Sequence, residues 1–236
     1  MPRRKNVKEN VIDPKAVAVK EGLKLIKDEM IIGLGSGTTA NLFIEELGKK
    51  IAKEELNIFG IATSFDSRIM AIKNNISLLS FDEYCDMIDI AIDGADEVHE
   101  KTLTAIKGGG GCHTQEKIID YSAKELVLLI DESKLTNSLG EKTPVPLEVL
   151  PFAYSSVLKE LLKMDTAPSV RMAERKMGPV ITDNGNMIID VFIDLENPAE
   201  VEQKLNNIPG VIENGIFTKV NKVIVGTLEG KGKIIK

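Results

Sequence analysis

Four apolar runs frame the first half of the chain. "MIIGLG" (Met30–Gly35), "LNIFGIA" (Leu56–Ala62), "MIDIAID" (Met87–Asp93) and "ELVLLID" (Glu125–Asp131) do not alternate with polar residues. Such runs predict strands buried on both faces of a parallel sheet. Helical spacing fills the intervals. "DPKAVAVKEGLKLIK" (Asp13–Lys27) opens with Asp as N-cap and Pro at the first helical position, and "TANLFIEELGKK" (Thr39–Lys50) and "TQEKIIDYSAKE" (Thr114–Glu125) follow the same period. The alternation predicts a doubly wound α/β sheet.

The pattern changes after "DESKLTNSLGEKTPVPLEVLP". Pro144, Pro146 and Pro151 rule out continued helix and predict a connector. A helix ("SSVLKELLK") and the stretch "GPVITDNGNMIIDVFID" come next, with Asn184-Gly185 predicting a tight hairpin between apolar runs. "PAEVEQKLNNIPG" reads as another helix, and these elements together predict a small α+β domain over residues 134–209. The final apolar run "KVIVGT" (Lys222–Thr227) is a strand able to rejoin the first sheet, so the larger domain is expected over 1–133 plus 210–236.

Composition narrows the function. Charged residues at 28% and hydrophobic ones at 43% are globular proportions, and a net charge of −6 gives no general attraction to nucleic acid or an anionic membrane. The basic opening "MPRRKNVK" is read as a solvated tail, without the apolar segment of a secretory signal. No run approaches the roughly 20 apolar residues of a membrane span. A cytoplasmic protein with no nucleic-acid or membrane partner is expected. Cys85, Cys112, His99 and His113 show no zinc-ligand spacing, and the neighbours Cys112 and His113 read as a half-buried thiol and a loop imidazole. No metal is expected.

Three loops at strand ends can carry chemistry. "GLGSGTTAN" (Gly33–Asn41) turns from a strand into a helix whose free N–H groups and dipole attract an anion, with Ser36, Thr38 and Thr39 adding hydroxyls. It also fits a dinucleotide fingerprint from Gly35, but the second strand ends in Thr63-Ser64 where a ribose-binding acid is needed, and no Walker lysine follows Gly37. A plain strand-to-helix turn stays open. "DGADE" (Asp93–Glu97) suits sugar hydroxyls or proton transfer, and equally a solvated Asp-Gly turn. "KGGGGCHTQEK" (Lys107–Lys117) runs from a strand-like "LTAIK" into a helix and offers backbone N–H groups to an oxyanion. Glu116 falls in the first turn of that helix, where the dipole and nearby lysines are expected to keep it ionised at neutral pH. A carboxylate base, an N–H cradle and a lysine together suit abstraction of a proton α to a carbonyl. "DESK" (Asp131–Lys134) adds a fourth loop at the same sheet edge.

"GLGSGTTA", "TSFDSR", "DGADE", "KGGGG...EK", "DESK" and "VITDNGN", in this order from Asp13 to the C-terminus, resemble the A-type ribose-5-phosphate isomerases. The resemblance implies a Rossmann-like sheet with a smaller α+β, ferredoxin-like domain. It further implies isomerisation of ribose 5-phosphate and ribulose 5-phosphate in the non-oxidative pentose phosphate pathway, through a cis-enediolate, with no metal or organic cofactor. Carried over by residue, Glu116 is the expected proton acceptor, with Asp93, Asp96 and Lys107 assisting. Ser36, Gly37, Thr38, Thr39, Asp93, Gly94, Ala95, Asp96, Lys107, Gly108, Gly109, Gly110 and Lys134 are the expected substrate contacts. The partner is a small sugar phosphate, and a homodimer or homotetramer is implied. Cys112, His113, Thr114 and Gln115 depart from the small, aliphatic or arginine residues common there, with a pH response through His113 as one consequence. Two other classes compete: a sugar-phosphate sensor, for which the residues before Asp13 are expected to be too few to hold a DNA-binding helix pair, and a CoA transferase with a glutamate nucleophile.

Overall fold

The computed structural model describes residues 12–236, so the basic opening "MPRRKNVK" lies outside the described residues. Asp13 caps the first helix as its sequence predicts, its carboxylate accepting from the Lys15 N–H at 3.0 Å, and Pro14 begins α1 (Pro14–Gly22). Then come β1 (Ile31–Leu34), α2 (Thr38–Glu54), β2 (Phe59–Ala62), α3 (Phe65–Lys73), β3 (Ser77–Leu78), α4 (Phe81–Tyr84) and β4 (Ile90–Asp93). Next are β5 (Glu97–His99), β6 (Ala105–Ile106), α5 (His113–Ser122), β7 (Leu126–Asp131), β8 (Leu135–Thr136), β9 (Val145–Val149) and α6 (Tyr154–Lys163). The chain ends with β10 (Ser169–Val170), β11 (Met187–Val191), α7 (Pro198–Asn206), β12 (Val211–Asn214), β13 (Ile216–Phe217), β14 (Lys222–Gly226) and β15 (Gly232–Ile235).

The main sheet has the order β3-β2-β1-β4-β7-β14-β15, parallel except for β15, and the expected return of "KVIVGT" is β14. The chain winds outward from β1 to β3 and then from β4 the other way. The reversal between β1 and β4 is the switch point of a Rossmann-type sheet, where the carboxyl ends of the strands leave a crevice. One face buries Ile32, Leu34 and Ile92 under Phe43, Ile44 and Leu47 of α2 and Val19 of α1. The other face packs Ala91, Leu126 and Leu128 against Val98, Ala105 and Phe217.

The second sheet, β10-β11-β9-β12, is antiparallel. Its chain order is strand, helix, strand, strand, helix, strand with β9 and β11 central, which is the ferredoxin-like arrangement. Leu147, Val157, Leu161, Ile189 and Leu205 fill its core. The expected proline-rich connector is in fact β9, buried along its whole length. Pro146 fits because its carbonyl accepts from the Gly215 N–H, beyond the last β12 pairing at Asn214, so its missing donor faces the place where the neighbouring strand departs. The Asn184-Gly185 turn closes tightly through Thr182 and Asn186, but the arm before it makes only isolated bridges and is no strand. The expected boundaries at 134 and 209 do not coincide with this sheet: β12 is its fourth strand, and β8 pairs with β5 elsewhere.

A third sheet, β13-β6-β5-β8, is built of two- and three-residue strands and carries the Lys107 loop at the end of β6. Among the described residues, no helix is long and apolar enough to cross a membrane.

Gly226 lets the start of α1, and with it Lys15, dock on β14. A Cβ there meets the Pro14 carbonyl oxygen at 1.7 Å and the Ala18 nitrogen at 2.9 Å, both backbone atoms. Overpacking costs about 1–3 kcal/mol, and backbone cannot swing aside. Gly226→Ala is therefore expected near the top of that range by urea unfolding, and an unchanged midpoint would contradict the close docking.

Candidate active site

The loops after β1, β4, β6 and β7 converge on one cleft at the switch point. Its walls hold Ser36, Gly37, Thr38, Thr39, Gly94, Ala95, Asp96, Lys107, Gly108, Gly109, Gly110, Glu116 and Lys134. Every residue expected from the sequence lines this cleft except Asp93. Asp93 is fully buried beneath the floor, so its neighbours Gly94 and Ala95 meet the cleft and its own carboxylate does not.

At one end the first turn of α2 carries no side-chain cap, leaving its N–H groups for an anion. Lys15, which the sequence reading missed because it sits on another helix, lines the same end and donates to the Thr38 Oγ1 at 2.8 Å. Ser36 is a brace: its hydroxyl bonds the Thr63 and Ser64 hydroxyls at 2.9 and 2.6 Å, and its N–H donates to Asp93 at 3.1 Å.

At the other end Lys107 is a buried ammonium. It pairs with Asp93 Oδ2 at 2.8 Å and Glu116 Oε2 at 3.1 Å, and donates to the Gly94 carbonyl at 2.8 Å. Burial works against its charge, but Asp93, Glu116 and Asp120 outweigh burial and hold its pKa above the ordinary lysine value. Beside it, the Gly109 N–H donates to Asp96 Oδ2 at 2.7 Å.

The expectation that dipole and lysines keep Glu116 fully ionised is overturned. Burial raises its pKa, Lys107 opposes, and Asp93 and Asp96 add to the rise, leaving it at about 8. A carboxyl poised near neutrality, next to an ammonium and facing a cleft, can both take and return a proton. His113 is likewise not a loop imidazole. It is fully buried as the first residue of α5, its Nε2 lies 3.3 Å from the Glu213 carbonyl, and burial lowers it to about 4 despite Glu148, so it does not titrate near neutrality. The Cys112 thiol is half-buried, as expected, and is pushed up to about 12 by burial and by Glu116, while Cys85 is exposed.

Asp120 was hidden in the sequence as one polar position of an amphipathic helix. It lies one turn beyond Glu116, is 1% exposed, and neither carboxyl oxygen meets a donor among the described residues. Its neighbour is the Asp93 carboxyl, within hydrogen-bond reach, and two carboxyls bond only when one holds a proton. Burial first, then the Asp93 charge, raise the Asp120 pKa well above the carboxylate range.

The Asn184-Gly185 turn reaches the same region. Glu148, fully buried on β9, accepts from Thr182, Asn184 and Asn186, while Asn184 accepts from Gln115 at 2.6 Å and Asp183 from the Phe65 N–H at 2.8 Å. The second sheet thus holds the N-terminal ends of α3 and α5.

A Rossmann-type sheet with an anion cradle and a carboxyl-lysine pair at its switch point defines a protein that acts on a small anionic substrate. A family model for ribose 5-phosphate isomerase A (phosphoriboisomerase A) matches residues 59–230. The ribose-5-phosphate isomerase A of Methanococcus aeolicus is 72% identical over 236 residues, covering 100% of both chains. The solved ribose 5-phosphate isomerase A of Methanocaldococcus jannaschii superposes with a TM-score of 0.92 at 58% identity, covering 95% of this chain and 98% of that one. A D-ribose-5-phosphate isomerase in complex with phospho-erythronic acid does so with a TM-score of 0.91 at 46% identity, covering 97% and 100%. The chain belongs to the ribose 5-phosphate isomerase A family and is an isomerase.

The raised Asp120 pKa has a stability signature. A group that binds its proton more tightly folded than unfolded favours the folded state fully below the ordinary carboxylate pKa, and that advantage is lost as pH climbs toward the raised value. Asp120→Asn, always neutral and able to donate to Asp93, should therefore melt higher than wild type at pH 8, with the gap narrowing toward pH 5. A gap of constant size across that range would count against a proton on Asp120.

Proposed function

We propose that the protein interconverts D-ribose 5-phosphate and D-ribulose 5-phosphate through a cis-enediolate, without a metal, as a step of the non-oxidative pentose phosphate pathway. The observation that carries this reading is Glu116, 3.1 Å from the buried Lys107 ammonium and opening on a cleft walled by a glycine loop and an uncapped helix N-terminus. The substrate phosphate sits on the N–H groups of Gly37 to Thr39, within reach of Lys15, while Lys134 contacts the sugar from the opposite wall. Asp96, which faces the cleft, assists ring opening. Asp93 acts from below by fixing Lys107. Glu116 takes the C2 proton and delivers it to C1, and a proton passes from O2 to O1, so the reaction ends with no net gain or loss of atoms. Glycine-loop N–H groups and Lys107 stabilise the charge on oxygen in between. The phospho-erythronic acid bound by the related structure fits this reading, since it joins a phosphate to a planar carboxylate with two oxygens, the shape of an enediolate.

Purified protein is expected to convert ribose 5-phosphate with a chelator present. Glu116→Gln should lower kcat by about 10²–10⁴, the usual contribution of a positioned base, while substrate still protects the variant from thermal unfolding. Because Glu116 must be ionised to accept the proton, kcat/KM should fall as pH drops below about 8. A variant with near-normal turnover would remove Glu116 as the base.

We further propose that the enzyme works in the cytoplasm as a homodimer or homotetramer. Phe65, Ile69 and Ile72 on one face of α3 are 61%, 63% and 60% exposed, an apolar stripe suited to a second copy. Sedimentation should give two or four times the chain mass, and a monomer at micromolar concentration would rule the assembly out.

A further inference from the structure

Arg171 lies just past β10, 62 residues from Gly109 in sequence, and reaches the glycine loop from the second sheet. Its Nη1 donates to the Gly108 carbonyl at 2.8 Å and to the Gly109 carbonyl at 3.0 Å. Its other edge is clamped by Asp190 of β11, through Nε to Oδ2 at 2.8 Å and through Nη2 to Oδ1. The guanidinium is thus fixed by a bidentate pair and bridges two successive peptide carbonyls.

Peptide planarity turns this contact into a statement about donors. In a trans peptide the C=O and the following N–H point in opposite directions. With the Gly108 carbonyl drawn to Arg171, the Gly109 N–H must point away, and it does, donating to Asp96 at 2.7 Å. With the Gly109 carbonyl drawn the same way, the Gly110 N–H also points away from Arg171. Gly110 lines the cleft, and its N–H meets no acceptor among the described residues.

We infer that Arg171 is a positioning residue for the isomerase reaction: by holding the Gly108 and Gly109 carbonyls it aims the Gly110 N–H at the oxygen that gains charge. This rests on the enediolate reading above, and it adds a residue that does not itself line the cleft.

The test is Arg171→Ala assayed with ribose 5-phosphate beside wild type and Glu116→Gln. Loss of an oriented oxyanion donor costs up to about 10²–10³ in kcat, so a fall of at least about 10-fold is expected, with KM changed much less. Guanidinium ion at millimolar concentration should restore part of kcat, a rescue that a merely structural role would not show. Unchanged kcat in a folded Arg171→Ala protein would overturn the inference, as would a loss that guanidinium leaves untouched. Should that variant not fold, Arg171→Lys carries the test. Its single ammonium cannot clamp Asp190 and bridge two carbonyls together, so kcat should fall at an unchanged melting temperature, and wild-type kcat would overturn the proposal. A wild type without turnover would remove the isomerase reading and this inference together, whereas active wild type with active Arg171→Ala would remove this inference alone.

Discussion

The Lys107 ammonium is the interaction on which the rest of the site depends. A charge that deep is costly to hold unless its hydrogen bonds and counter-charges are all in place. Here they come from different parts of the chain: Asp93 from the end of β4, Gly94 from the loop after it, and Glu116 from α5. The Phe217 ring lies 5.2 Å away and adds its π face. The Lys107 backbone N–H donates to the Gly215 carbonyl at 2.9 Å, tying the same residue to the chain that leaves the second sheet. One side chain and its own backbone therefore fasten all three sheets together at the floor of the cleft.

That arrangement also sets the proton inventory. Asp93, Glu116 and Asp120 are three buried carboxyls facing one ammonium, and no low-dielectric pocket tolerates the full surplus of negative charge. Asp93 accepts from two backbone N–H groups and pairs with the lysine. Burial and the neighbouring Asp93 raise both α5 carboxyls, Asp120 and Glu116, while Lys107 pulls the other way at each. Of these three only Glu116 also lines the cleft, so of the two raised carboxyls it is the one that a molecule in the cleft can reach.

What the sequence could disclose followed the range of the interaction. The Asp13-Pro14 start of α1, the apolar strands of the main sheet and the Asn184-Gly185 turn are local signals, and each is found where it was expected. Likewise, the anticipated cleft residues after β1, β4 and β7 sit at strand ends that the Rossmann winding gathers, while Lys107 to Gly110 are brought in by the third sheet. The misses are non-local. β9 was hidden because Pro146 is tolerable only where its neighbour strand departs, a fact about Gly215. The third sheet has strands too short to show a period. Arg171 sits in "SVRMAERKMG", which looks like a polar loop until β10 and β11 carry it over the glycines. The Glu116 pKa was misjudged because helix dipole and lysines can be read from sequence, whereas the burial that outweighs them cannot.

The four glycines illustrate how a structural demand and a functional opening can be separated within one motif. Side chains are excluded at three of them by the protein itself: a Cβ meets His113 and Pro146 at 2.7 Å from Gly108, Asp96 at 2.7 Å from Gly109, and Ile188 at 2.8 Å from Gly111. Gly108 and Gly111 also have φ of 103° and 79°, values that L-residues avoid. Gly110 meets neither restriction. Its φ is not positive, and a Cβ there would find nothing within 4 Å. Nothing in the fold therefore requires glycine at that position, which is also the one whose N–H points away from Arg171 on the wall of the cleft. On the proposed mechanism a bare backbone there serves the molecule that enters the cleft: it would let a substrate oxygen come within hydrogen-bond distance of an amide whose direction the Arg171 contacts to the Gly108 and Gly109 carbonyls set.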